Sequence, residues 1–126
     1  MKVLVDTSVW VRHFKHRDEQ LVALLQAGWV VGHPCVVVEV ACGTPPHRSE
    51  VIDMLRKLES VPVATADELL TLLEQRALSG RGCGFVDVSL LASALLSDRT
   101  LLWTLDKRLE AVATESGCAY QPALAS

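Results

Sequence analysis

Lys2-Val3-Leu4-Val5-Asp6 is a short, β-branched apolar run that ends on an aspartate. Towards the other end of the chain, Leu101-Leu102-Trp103-Thr104-Leu105-Asp106 repeats the arrangement. A third aspartate, Asp87, follows the loop Gly80-Arg81-Gly82-Cys83-Gly84 and opens an apolar helix. Parallel α/β sheets place their ligands beyond the carboxyl ends of the strands, so acids delivered there from distant segments can meet at one point. Clustered carboxylates repel one another unless a cation joins them. The pattern therefore points to a divalent-metal site.

Working outward from the first strand, Thr7–His16 reads as a short helix with Trp10 and Phe14 on one face. Glu19–Ala27 carries Leu21, Leu24 and Leu25 at helical spacing and stops at Gly28. Trp29–Val31 is a second strand, broken by Gly32-His33-Pro34. Cys35–Gly43 is ambiguous: Val36-Val37-Val38 favours strand, whereas Pro34 before it and Gly43 at its end favour helix, which is the assignment adopted. Ser49–Ser60 is an amphipathic helix, and Val61-Pro62-Val63 is at most an edge strand. Thr65–Ala77 is a helix opened by a Thr65–Glu68 capping box. Val86–Ser97 is apolar enough that it must pack on the sheet. Thr100–Thr104 is a third strand, Lys107–Ser116 a last helix ended by Gly117, and Ala119–Gln121 a candidate final strand. Strands alternating with helices predict an α/β fold, a small parallel β-sheet flanked by helices on both faces, in a single domain over residues 1–126.

With 126 residues, half of them hydrophobic, the chain can bury one ordinary core without staples. Twelve basic against fifteen acidic residues give a net charge of −3, so the overall field does not attract nucleic acid. A nucleic-acid partner needs local basic residues, or cations in an acidic pocket. The four cysteines, Cys35, Cys42, Cys83 and Cys118, form no CxxC pair, as expected of reduced thiols in the cytoplasm. Lys2 runs directly into the first strand, leaving no signal-peptide core. The longest apolar stretches fall well short of the ~20 residues that span a bilayer, so no membrane association is expected.

Each acid also has an ordinary explanation. Asp6, Asp87 and Asp106 all stand where a helix begins, and Asp is a favoured N-cap worth ~1 kcal/mol. Capping can equally be served by Ser, Thr or Asn, and Thr7, Ser8 and Thr104 lie beside these positions. Using Asp each time concentrates charge that capping does not require. Glu39 is the only acidic or basic side chain between His33 and His47, set in Val36-Val37-Val38-Glu39-Val40-Ala41; it is expected to be buried or to face a pocket. Four carboxylates suit Mg²⁺ or Mn²⁺, hard cations that take oxygen ligands and keep several waters. Such ions acidify bound water and stabilise a leaving oxygen, and no Ser-His-Asp or Cys-His arrangement competes with that chemistry.

These residues resemble the PIN-domain ribonucleases, specifically the VapC-type toxins of type II toxin–antitoxin pairs. The resemblance runs through Val5-Asp6-Thr7-Ser8-Val9-Trp10, His33-Pro34 to Glu39 and Ala41-Cys42-Gly43, Leu78 to Asp87, Leu90-Leu91-Ala92-Ser93-Ala94, and Leu102 to Leu109. It implies a PIN-like, three-layer α/β/α fold and Mg²⁺-dependent endonucleolytic cleavage of RNA. It assigns the four family acids to Asp6, Glu39, Asp87 and Asp106 and supports helix for Cys35–Gly43. A VapB-type antitoxin is implied as partner, with a homodimer or a toxin–antitoxin hetero-oligomer as the assembly. On this basis Asp6 and Asp87 contact the main metal, Asp106 lies nearby or binds through water, and Glu39 holds a second ion or positions the attacking water. Thr7, Ser8 and Thr104 would orient carboxylates or bound water, and Arg81, Lys107 and Arg108 would contact RNA phosphates. An apolar groove near the first helices would accept an antitoxin segment. One departure is Leu105, where many relatives carry a basic residue.

Two alternatives come from other classes. A phosphoacceptor receiver domain also uses acids at strand ends, but it needs an acidic pair after its first strand and a lysine on a late strand. Here Thr7-Ser8 follows Asp6, and Lys107 falls in a turn. A catalytically silent PIN-like binding module would not need all four acids.

Overall fold

Val3, Leu4 and Val5 are fully enclosed, so the first strand runs through the middle of the molecule rather than along an edge. The computed structural model describes residues 1–122. Among them the chain forms β1 (Lys2–Val5), α1 (Thr7–Lys15), α2 (Glu19–Gln26), β2 (Val30–Gly32), α3 (Pro34–Cys42), α4 (Arg48–Lys57), β3 (Glu59–Ser60), α5 (Ala66–Gln75), α6 (Phe85–Leu96), β4 (Thr100–Trp103) and α7 (Lys107–Glu115). The sheet is parallel throughout, in the order β3-β2-β1-β4, with Val3 opposite Val30 on one side and Leu101 on the other. Helices cover both faces, giving the three-layer α/β/α fold that the strand–helix alternation predicts.

This order matters for function. The chain steps outward from β1 through β2 to β3, then crosses back to lay β4 against the free side of β1. β1 and β4 therefore lie side by side where the strand order reverses, the place at which parallel α/β sheets take ligands beyond their carboxyl ends. Asp6 and Thr104 are the first residues beyond those two ends.

Local chemistry sets the element limits. Asp18 caps α2 by accepting from Leu21 N at 3.0 Å, and Gly28, at φ 74°, ends it. Pro34 opens α3, which resolves Cys35–Gly43 as helix. Thr65 and Glu68 form both bonds of the predicted capping box on α5. In α6 every residue from Val88 to Ala94 is buried, and the helix packs against β4. Among the described residues no helix is long and apolar enough to cross a membrane.

Several boundaries differ from expectation. The helix predicted over Ser49–Ser60 ends at Lys57, and Glu59–Ser60 becomes the edge strand in place of Val61–Val63. The reason is pairing at Gly32: Val31 meets Glu59 and Gly32 meets Ser60, while Leu55 O and Leu58 Cβ approach so closely that a Cβ on Gly32 would stand 3.3 Å from each. Val61 N still donates to Gly32 O, but Pro62 has no donor to continue the ladder. The second strand starts at Val30, leaving Trp29 substantially exposed. Thr104 lies just outside β4, and only Ala119 of the expected last strand pairs, as an isolated bridge to Leu102.

Candidate functional site

Asp6 follows β1 immediately and is only 6% exposed. Its Oδ1 accepts from the Thr7 backbone N–H at 2.8 Å, which starts α1. Its Oδ2 accepts from two hydroxyls, Ser8 Oγ and Thr104 Oγ1, each at 2.7 Å. Those hydroxyls also accept: Leu105 N donates to Ser8 Oγ at 3.1 Å and Asp106 N to Thr104 Oγ1 at 3.0 Å. The two strand-to-helix junctions, nearly a hundred residues apart in sequence, are thus tied together through one carboxylate.

The other acids surround this knot. Asp106 caps α7, its Oδ1 accepting from Arg108 N at 2.9 Å and Leu109 N at 3.2 Å. Asp87 lies inside the first turn of α6, and its Oδ2 accepts from Gly84 N at 3.1 Å, reaching back to the residue that begins the helix. Glu39, on α3, accepts from Thr7 Oγ1 at 2.6 Å. Glu39 is exposed, not buried: α3 turns Val36 and Val40 inward, which leaves Val38 and Glu39 on the open side. Glu39 faces a pocket instead, the second of the two expectations for it.

The electrostatics link the four acids. Burial pushes the Asp87 carboxyl above its ordinary pKa; the Gly84 N–H opposes this, and the charges of Asp106, Asp6 and Glu39 add to the upward shift. None of the four forms an ion pair among the described residues. Asp87, Asp106 and Glu39 each keep a carboxylate oxygen that accepts no hydrogen bond from described residues. The donor set fits a hard divalent cation: all oxygen, uncompensated in charge, and partly open. Among the described residues no three His, Cys, Asp or Glu side chains close around a single ion position; a cation that keeps most of its water needs only one or two direct carboxylates.

The remaining candidates sit differently. Lys107 and Arg108 occupy the first two positions of α7, both exposed. Arg81 is committed to Glu115 on the far end of α7. His13 Nδ1 accepts from Asp18 N, and His33 Nδ1 accepts from Cys35 N, so both histidines hold backbone. Trp10 is buried and stacks on Phe14 with 6.2 Å between centroids. A groove of about 290 Å³, lined by Val11, Phe14, Val40, Thr44, Pro45 and Pro46, runs between α1 and α3 and reaches Glu39. Sequence reasoning passed over Cys83. Burial and the charges of Asp87 and Asp106 raise its pKa while Arg81 and Arg108 oppose them, so it borders the acids. Its position four residues before Asp87 in a glycine-rich loop was the available signal.

Comparison with known proteins agrees with this architecture. A model of the PIN domain matches residues 3–115. The chain is 47% identical over 117 residues to "Ribonuclease VapC32" of Mycobacterium tuberculosis strain CDC 1551 / Oshkosh, an alignment covering 93% of this chain and 94% of the relative. The protein of the same name from strain ATCC 25618 / H37Rv aligns with the same identity and coverage.

Proposed function

This chain belongs to the PIN-domain family, of VapC type, and from that membership we propose that it is a metal-dependent endoribonuclease acting as the toxin of a toxin–antitoxin pair. The observation that carries the reading is the Asp6 knot beyond the carboxyl ends of β1 and β4, with Asp87 in the field of Asp6, Asp106 and Glu39 and none of the four in an ion pair among the described residues. Asp6 and Asp87 would hold the principal Mg²⁺ or Mn²⁺, with Asp106 beside it or joined through water. When bound, such a cation supplies an acidified water and neutralises charge on the leaving oxygen of a phosphodiester.

The chain's own residues do the rest. Ser8 and Thr104 donate to the same oxygen of Asp6, which fixes that carboxylate's orientation. Thr7 steadies Glu39 through one oxygen, leaving the other to hold a second ion or to accept from the attacking water. Lys107 and Arg108 stand where an RNA backbone entering the acidic pocket needs positive charge. The groove between α1 and α3, apolar for most of its length and ending at Glu39, suits an apolar segment of a VapB-type antitoxin, which would cover the acids as it docks.

The test is cleavage of RNA in Mg²⁺ by the wild type and by Asp6→Asn and Asp87→Asn. Loss of at least about a hundredfold in rate with either substitution is expected. Cleavage at the wild-type rate by both variants would remove these acids from the reaction.

A further inference from the structure

Arg81 and Arg108 both flank the acids in the chain, but they are held in different ways. Arg81 is paired with Glu115. The Arg108 side chain makes no hydrogen bond or ion pair among the described residues. Instead its stem lies across the α-carbon of Gly82: a Cβ built there would fall 2.6 Å from Arg108 Cδ, 3.0 Å from Nε and 3.1 Å from Nη1. With a Cβ at Gly82, the end of the Arg108 side chain would have to swing away from this position. Gly82 also has φ 84°, in the left-handed region that most side chains avoid.

Arg108 is the second residue of α7, where the helix dipole disfavours a cation, and it forms no ion pair among the described residues. A guanidinium so placed keeps its fork of donors open, and that fork matches phosphate. Both residues border the acids, Arg108 two positions after Asp106 and Gly82 in the loop that leads to Asp87. An RNA strand approaching four carboxylates is repelled unless a fixed cation at the rim meets its backbone.

Resting on the ribonuclease reading above, we infer that Gly82 is a positioning residue: its bare α-carbon seats Arg108 so that the guanidinium grips an RNA backbone phosphate beside the acid site. The loop glycine thus serves the substrate through the arginine it carries.

The test measures kcat and KM in Mg²⁺ on a fluorogenic, mixed-sequence oligoribonucleotide pool across a range of monovalent salt. Gly82→Asn tolerates the left-handed backbone but adds the obstructing Cβ. Gly80→Asn is the control, since Gly80 has φ 80° and nothing within 4 Å of a built Cβ. Gly82→Asn and Arg108→Ala are each expected to raise KM about tenfold with kcat little changed. Each should also flatten the logarithmic salt dependence by about 0.7, the share of one phosphate contact on a single strand. The double variant should match Arg108→Ala alone, and Gly80→Asn should match the wild type. Additive effects in the double variant, an unchanged salt slope, or equal losses from Gly80→Asn and Gly82→Asn would overturn the inference while leaving the ribonuclease reading intact. Absence of wild-type cleavage would overturn both.

Discussion

Asp6 is almost enclosed, yet it is surrounded by donors rather than by cations. That arrangement holds the carboxylate in one orientation. Thr104 is the key donor, because its hydroxyl gives to Asp6 and accepts from Asp106 N. Thr104→Val should cost about 1.5–3 kcal/mol in urea denaturation, the usual loss for a buried hydrogen bond to a charged group, and Thr104→Ser should restore most of it. Asp87 is pushed towards its neutral form. Its pKa is raised in the fold, so its ionised form is disfavoured there, and the stability it contributes is present below the ordinary carboxylate range and lost as pH rises through the folded value. Asp87→Asn should therefore melt about 1–3 °C above the wild type in chelator at neutral pH, with the gain vanishing in acid. A melting temperature lower than wild type at neutral pH would contradict the assigned cost of burying the charged carboxylate among other acids.

Elements carry the site by their ends, and α3 shows the cost of one such end. His33 is buried and its Nδ1 accepts from Cys35 N, so the neutral ring caps the helix, and burial lowers its pKa below 6.5. A depressed pKa gives stability that is present above the unfolded value and lost as pH falls through the folded one. Unfolding free energy should therefore decline below about pH 6.5, and His33→Asn, which caps without titrating, should flatten that decline. An identical pH profile in the variant would exclude His33 as the cause. Much of this level was legible in the sequence: capping residues, glycine stops and apolar periodicity located β1 and the helices because those signals are local. β3 was not, because Glu59 and Ser60 are polar residues made a strand only by their pairing with β2 at Gly32. Glu39 was legible in part: it faces a pocket, as expected, but is exposed rather than buried. Val38, next to it, is 60% exposed, so an apolar neighbourhood in sequence did not mean an enclosed one in space.

At the scale of the whole molecule, a net charge of −3 and a cluster of acids would make RNA binding by the proposed ribonuclease depend on bound cations. Affinity for a mixed-sequence oligoribonucleotide should fall at least about tenfold when Mg²⁺ is replaced by chelator, as read by fluorescence anisotropy. The sheet order explains why acids so far apart in sequence share one field: β4 returns to lie beside β1, and the helix that precedes it brings Asp87. The strand-end aspartates announced that meeting in the sequence. The hydroxyl links between the junctions, which join residues as distant as Asp6 and Thr104, could not be read from spacing. The central claim is that these carboxylates form one hard-cation site, and calorimetric titration of Mn²⁺ into the wild type and Asp87→Asn tests it most directly. The account predicts saturable binding by the wild type and an affinity at least about tenfold weaker in the variant; equal affinity in the two proteins, or no binding at millimolar Mn²⁺, would contradict it.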